Sequence, residues 1–178
     1  MNVRLPVVAV LGSAADPCLD RAAQLGVWLA GEHVHLVTGG GGGVMAAVSE
    51  AFHSVARRRG LVLGIVPGVE RQGRVGPPPG YPNPWVEILV QTHLPQTGAR
   101  GETPGSRNHL PVLSADVCVF LPGAAGTLSE ARLAVRYRRP AIAFLRDRRE
   151  VIGLPGDLSV TASFAVVQVF VRAHLHRR

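Results

Sequence analysis

The sequence predicts a single α/β domain of Rossmann-like type over residues 1–178, a mostly parallel sheet with helices on both faces. Three observations carry this reading. Near-unbroken apolar runs such as Val7 to Leu11, Leu61 to Val66 and Ala115 to Leu121 mark strands buried on both faces, and amphipathic stretches separate them. Glycine-bearing turns follow three of these strands, at Gly12, Gly39 to Gly43 and Gly123 to Gly126, which gathers them at the carboxyl edge of the sheet, where ligands bind in such folds. The 178 residues, 47% of them apolar, suit one domain with a full core and argue against disorder.

Taken in order, Val7 to Leu11 is the first strand and ends in Gly12-Ser13. Asp16 suits the N-cap of a helix over Pro17 to Ala30, with Pro17 at its first position and Gly31 beyond its end. His35 to Thr38 is the second strand, Val44 to Arg59 a second helix stopped by Gly60, and Leu61 to Val66 a third strand stopped by Pro67-Gly68. Glu70 to Pro84, rich in Gly, Pro and Arg, reads as a long irregular loop. Val86 to Gln91 is the fourth strand, and Thr92 to Ser106 a second loop. Arg107 to Leu113 reads as a short helix, Ala115 to Leu121 as the fifth strand, Thr127 to Arg138 as a helix and Ala141 to Leu145 as the sixth strand. The tail adds a short strand near Leu158 to Val160 and an apolar helix from Ser163 to Leu175.

The formal net charge is +7 and every basic residue is arginine. Arg57 to Arg59, Arg136 to Arg139, Arg146 to Arg149 and Arg177-Arg178 fall near helix ends or in loops, where cations complement a helix dipole or solvate a surface. With few aromatics, no zinc spacing and no aromatic RNA-binding signature, specific nucleic-acid binding is not expected. The same charge would attract a small phosphorylated ligand. No apolar run is long enough for a membrane span, no cleavable leader pattern opens the chain, and a cytoplasmic address is expected. Cys18 and Cys118 are then expected as free thiols. The seven histidines, among them His33, His35, His53, His174 and His176, show no metal-ligand spacing, so no metal site is expected.

Leu121 to Glu130 is the most chemically informative stretch. It follows an apolar strand, opens a helix, and carries a carboxylate one turn in. Gly123 and Gly126 permit a tight turn that presents amide N–H groups to an anion, and the Thr127 hydroxyl either joins them or caps the helix in a box with Glu130. The five glycines Gly39 to Gly43 exceed what a turn needs and suit contact with a ligand, with Met45 packed beneath them. Gly12 and Ser13 belong to the same edge, Ser13 either donating to a ligand or capping its turn. The first turn lacks a full dinucleotide fingerprint, and no lysine follows either glycine loop, which excludes a Walker phosphate loop. Asp116 reads as a structural partner at a strand start and Trp85 as packing at a strand entrance or subunit interface, while His93 and His109 flank the loop leading to Arg107, either touching a ligand or, as the favoured reading, facing solvent.

Thr38 to Met45, Arg107-Asn108, Ala115-Asp116 and Pro122-Gly123-x-x-Gly126-Thr127-x-x-Glu130 together resemble the Lonely Guy proteins, often labelled lysine decarboxylase-like. The resemblance covers roughly residues 5 to 146. It implies a Rossmann-like homodimer or homotetramer, with no cofactor required, that hydrolyses the N-glycosidic bond of nucleoside 5′-monophosphates such as cytokinin ribotides. Arg107 and Glu130 would be catalytic. Gly12, Ser13, Gly39 to Gly43, Met45, Asn108, Gly123, Gly126 and Thr127 would bind the ligand. The decarboxylase label finds no lysine in either loop for a Schiff base. The chain departs from the pattern at Ala124, in place of the second glycine of Pro-Gly-Gly; at Ser129, in place of the first paired glutamate; and at Asn108, in place of a lysine. Its Arg-Asn and Ser-Glu pairs and Asn83-Pro84-Trp85-Val86 look more like a sister branch that includes the molybdenum cofactor carrier proteins, which bind a phosphorylated pterin without turning it over. On that alternative the molybdenum cofactor is the bound ligand.

Overall fold

A computed structural model describes residues 4–175; Arg177-Arg178 and His176 lie outside the described residues. Seven parallel strands form one sheet in the order β6-β3-β2-β1-β7-β8-β9. They are β1 (Val7–Leu11), β2 (His35–Thr38), β3 (Val62–Val66), β6 (Ile88–Gln91), β7 (Val117–Phe120), β8 (Ala141–Phe144) and β9 (Ser159–Thr161). A separate two-stranded ribbon pairs β4 (Val69–Arg71) with β5 (Arg74–Gly76). The helices are α1 (Leu19–Gly31), α2 (Val44–His53), α3 (His109–Ser114), α4 (Ala125–Arg136) and α5 (Phe164–Leu175).

Alternation along the central strand divides the core in two. Val8 and Val10 face a cluster with Leu25 and Leu29 of α1, Val48 and Phe52 of α2, and Val167 and Val171 of α5. Val7, Ala9 and Leu11 face the other way, onto Val112 of α3 and Ala131, Leu133 and Ala134 of α4. Both clusters are buried, which is why these strands read as unbroken apolar runs rather than as an alternating pattern.

Several element boundaries differ from the sequence expectation. Helix α1 starts at Leu19, not Pro17, because Cys18 takes a left-handed conformation (φ 44°) and its amide donates to Asp16 Oδ1 at 2.9 Å, closing a turn before the helix. Helix α2 stops at His53, well short of Arg59. Ser54 Oγ donates to Ala51 O at 2.8 Å, Val55 turns back onto the core, and Arg58 reaches Gly60 O and Glu87 while covering the Phe52 ring. The expected irregular loop from Glu70 to Pro84 contains the β4–β5 ribbon, turned at Gln72-Gly73, both with positive φ (51° and 72°) as a tight hairpin of opposite hand requires. Helix α4 begins at Ala125 and ends at Arg136, two residues ahead of expectation at each end.

Asp116 is the structural partner expected: it accepts from Arg4 and from the Val7 amide at 2.9 Å, tying the starts of β1 and β7. Cys18 and Cys118 are free thiols, and burial pushes the Cys118 thiol up to about 12. No helix among the described residues is long and apolar enough to cross a membrane.

Candidate functional site

The chain runs from β1 through β2 and β3 to β6 on one side, then returns to β7 on the other side of β1. Strand order therefore reverses between β1 and β7, and the loops leaving them part to open a crevice at the carboxyl edge, the position where open α/β sheets bind ligands. A cleft of about 310 Å³ occupies it. Gly12 to Ala15 contribute from the β1 turn, Met45 from α2, Arg107 and Asn108 from the approach to α3, and Ala124, Gly126, Thr127 and Glu130 from α4. Tyr81, Thr97 and Gly98 close it from the two long loops.

Ser13 is the knot of this edge. Its amide donates to Pro122 O at 2.8 Å and its carbonyl accepts from Val44 N at 2.8 Å, so the turns after β1 and β7 and the start of α2 are bonded together. Its hydroxyl accepts from the amides of Ala15 (3.1 Å) and Asp16 (2.9 Å), which is the turn-capping role.

Arg107 is only 4% exposed, yet its Nε and Nη1 have no hydrogen-bond partner among the described residues. Among the described residues its ion-pair partner is Glu130, 6% exposed, with Nη1 to Oε1 at 3.9 Å, longer than a hydrogen bond. A buried guanidinium with free donors is costly unless a ligand anion completes it. Burial also pushes the Glu130 carboxyl up to about 7, with Arg107 pulling the other way and only partly offsetting it. Glu130 therefore changes charge near neutral pH, directly beside the guanidinium.

Thr127 is the third orphan. It does not cap α4: the cap position is Ala124, without a side-chain bond, and Thr127 lies within the first turn with a buried Oγ1 that has no partner among the described residues. The expected capping box with Glu130 is therefore absent. Its hydroxyl and the first-turn amides, which lack intrahelical acceptors, sit together at the positive end of α4. A Cβ at Gly123 would meet Thr127 Cβ at 2.8 Å and overlap its hydroxyl, so glycine there makes room for the threonine.

Two of the three departures from the Lonely Guy pattern touch each other. Asn108 Nδ2 donates to Ser129 Oγ at 2.9 Å, and Ser129 Oγ donates to Gly126 O at 2.8 Å. A lysine and a glutamate of the pattern are replaced here by a neutral, mutually satisfied pair. Gly101 packs on that pair, and Ser106 Oγ bonds Gln96 O and the Asn108 amide, which fastens the loop between β6 and α3 over the site.

Gly39 to Gly43 and Gly123 do not line the cleft. The close approaches of the glycine loop are to the chain itself: Gly39 to the Arg107 guanidinium, Gly40 to Val66, Gly41 to the Tyr81 ring, Gly42 to Ala14 O, and Gly43 to Ser13 O. His109 turns away to Tyr137 Oη (2.6 Å) and Thr103 O (2.9 Å), and Trp85 lies against His53. Sequence reasoning missed Tyr81, Thr97 and Gly98. Tyr81 had one signal, an aromatic set among Pro78, Pro79, Pro82 and Pro84; Thr97 and Gly98 had none. Among the described residues no cluster of three His, Cys, Asp or Glu side chains is placed to hold a metal.

This fold, with its arginine-bearing cleft, has known relatives. Residues 5–165 match the SLOG cluster4 family, and the chain belongs to that family. It is similar to the molybdenum cofactor binding protein of Rippkaea orientalis, at 26% identity and a TM-score of 0.72 over 97% of this chain and 98% of that one. It also resembles the molybdenum cofactor carrier protein of Chlamydomonas reinhardtii (23%, TM-score 0.68, 98% and 100% covered). DNA processing protein A of Helicobacter pylori, described for its single-stranded DNA binding, shares the fold at 16% identity and a TM-score of 0.66, with 95% and 81% covered. No curated protein sequence matches the chain.

Proposed function

We propose that this protein is a binding protein for a small phosphorylated ligand, of the kind represented by the molybdenum cofactor carriers, and that it holds the ligand's phosphate between Arg107, Thr127 and the N-terminus of α4. One observation carries the reading: the unpartnered Arg107 Nε and Nη1 and Thr127 Oγ1 are buried in one cleft at the strand-order reversal. Such donors are satisfied in nearly all native proteins, and the oxygens of a ligand phosphate are acceptors of the kind that a buried guanidinium and a hydroxyl at a helix N-terminus favour. The 26% identity to a molybdenum cofactor binding protein over nearly the whole of both chains supports the carrier reading, as does the neutral Asn108–Ser129 pair.

Glu130 favours a second reading, nucleotide hydrolysis. Cleaving a ribosyl C–N bond builds positive charge on the sugar. A carboxylate beside the bound phosphate would stabilise that charge and orient water, while Arg107 fixes the phosphate. One experiment separates the two. The protein is incubated with a panel of nucleoside 5′-monophosphates while free base and ribose 5-phosphate are followed, and binding of molybdenum cofactor and of each monophosphate is measured in parallel. The expected result is binding without release of base. Turnover that falls roughly a hundredfold in Glu130→Gln, the scale of one lost electrostatic stabiliser, would instead establish the hydrolase.

A further inference from the structure

Two side chains from distant parts of the chain rest on the same glycine loop. A Cβ at Gly39 would collide with the Arg107 guanidinium, and a Cβ at Gly41 would meet Cε1, Cζ and Oη of Tyr81, each at 2.7 Å. Arg107 and Tyr81 both line the cleft. Their supports are two residues apart, and two residues of chain span at most about 7 Å. The loop is thus a common floor with a cationic seat at one position and an aromatic seat two residues on. Any side chain at Gly39 or Gly41 would remove one of them.

The aromatic seat is built rather than incidental. Asn83 is buried; its amide donates to Gly40 O at 2.7 Å and its Nδ2 to Gly41 O at 2.9 Å, so the Tyr81 loop is bonded to the glycine loop on which the ring rests. The Tyr81 amide donates to Pro78 O at 3.2 Å, and the neighbouring prolines restrict the backbone that carries it. A ring held this way presents contact area at little conformational cost. Met45, Ala14 and Ala15 share the cleft with the ring.

We infer that Tyr81 is the recognition element for a flat nitrogen heterocycle, a pterin or nucleobase ring, joined by a short linker to the phosphate that Arg107 and Thr127 hold. This rests on the phosphate-ligand reading above and adds the residue that takes the ring carried beyond the phosphate. Stacking of such a ring on an aromatic side chain is sequence-tolerant and contributes roughly tenfold or more to affinity.

Calorimetry with four probes tests it: a phosphorylated pterin, guanosine 5′-monophosphate, ribose 5-phosphate and inorganic phosphate. Wild-type protein is expected to prefer a heterocycle-bearing probe over ribose 5-phosphate, and the pterin and nucleotide arms identify which ring is taken. Tyr81→Leu should erase that preference, with affinity for ribose 5-phosphate unchanged, while Tyr81→Phe should retain it. Equal wild-type affinity for ribose 5-phosphate and the heterocyclic probes overturns the Tyr81 assignment alone. So does a Tyr81→Leu protein that is folded by circular dichroism and weakens all four probes alike, since Tyr81 would then only shape the loop. Absence of wild-type binding to every probe overturns the phosphate reading itself.

Discussion

At the scale of single residues, Glu130 makes the protein's stability depend on pH in an unusual direction. Its carboxyl is raised from 4.5 to about 7, first by burial. The folded state therefore binds a proton that the unfolded state releases near pH 4.5. This contribution is complete below that value and is lost as pH rises through about 7, with a slope of up to about 1.4 kcal/mol per pH unit. Glu32 and Glu150 behave oppositely, because Arg172 and Arg21 hold them below the usual carboxylate range, so their contribution is lost only as the solution becomes acidic. Urea unfolding between pH 5 and 8.5 should show wild-type stability declining from pH 5 to about 7 and levelling off above it, and Glu130→Gln nearly flat throughout. Equal slopes would place the Glu130 proton elsewhere.

At the scale of elements, β7, its turn and α4 form the unit that sequence describes best and least completely. Buried strands such as β7 and β1 were legible because buried faces on both sides leave only apolar residues. The Arg107–Glu130 approach was legible only as a motif, since nothing local reveals that residues 23 positions apart will meet at 3.9 Å. The β4–β5 ribbon was not legible, for three-residue strands carry no periodicity, and Tyr81 was hidden in a proline-rich stretch that reads as structureless. The two turn glycines were read as equivalent, and packing separates them. Gly123 leaves no room for a Cβ because Thr127 fills it, whereas a Cβ at Gly126 would meet nothing nearer than Gly98 Cα at 3.8 Å. Gly123→Ala should therefore displace the Thr127 hydroxyl and cost ligand affinity tenfold or more in a folded protein. Gly126→Ala, inside α4, should cost less affinity and raise stability by about 0.5–1 kcal/mol. Calorimetry and thermal melts of the two variants side by side check this, and equal losses of affinity would refute it.

At the scale of the whole molecule, a net charge of +7 would attract nucleic acid as well as the small phosphorylated ligand proposed above. Much of the surface charge is locally answered: Arg21 by Glu150, Arg58 by Glu87, Arg132 by Glu102 and Arg172 by Glu32. What remains acts through solvent, where screening shortens its reach from about 10 Å at 0.1 M salt to about 3 Å at 1 M. Arg107 and Thr127 are buried and are screened far less. A single strand held by surface arginines releases a counterion for each phosphate neutralised, with a logarithmic salt slope of about −0.7 per phosphate, so several contacts give a steep loss. A monophosphate seated on one buried arginine gives a slope of about one or less. Raising salt from 0.05 to 0.5 M should therefore abolish retention of a labelled oligonucleotide, read by fluorescence anisotropy. Affinity for the phosphorylated ligand should fall less than about tenfold. An oligonucleotide that stays bound at 0.5 M salt and is displaced by the small ligand would mean that a strand end enters the cleft, and the site would then be one for terminal phosphates of nucleic acid.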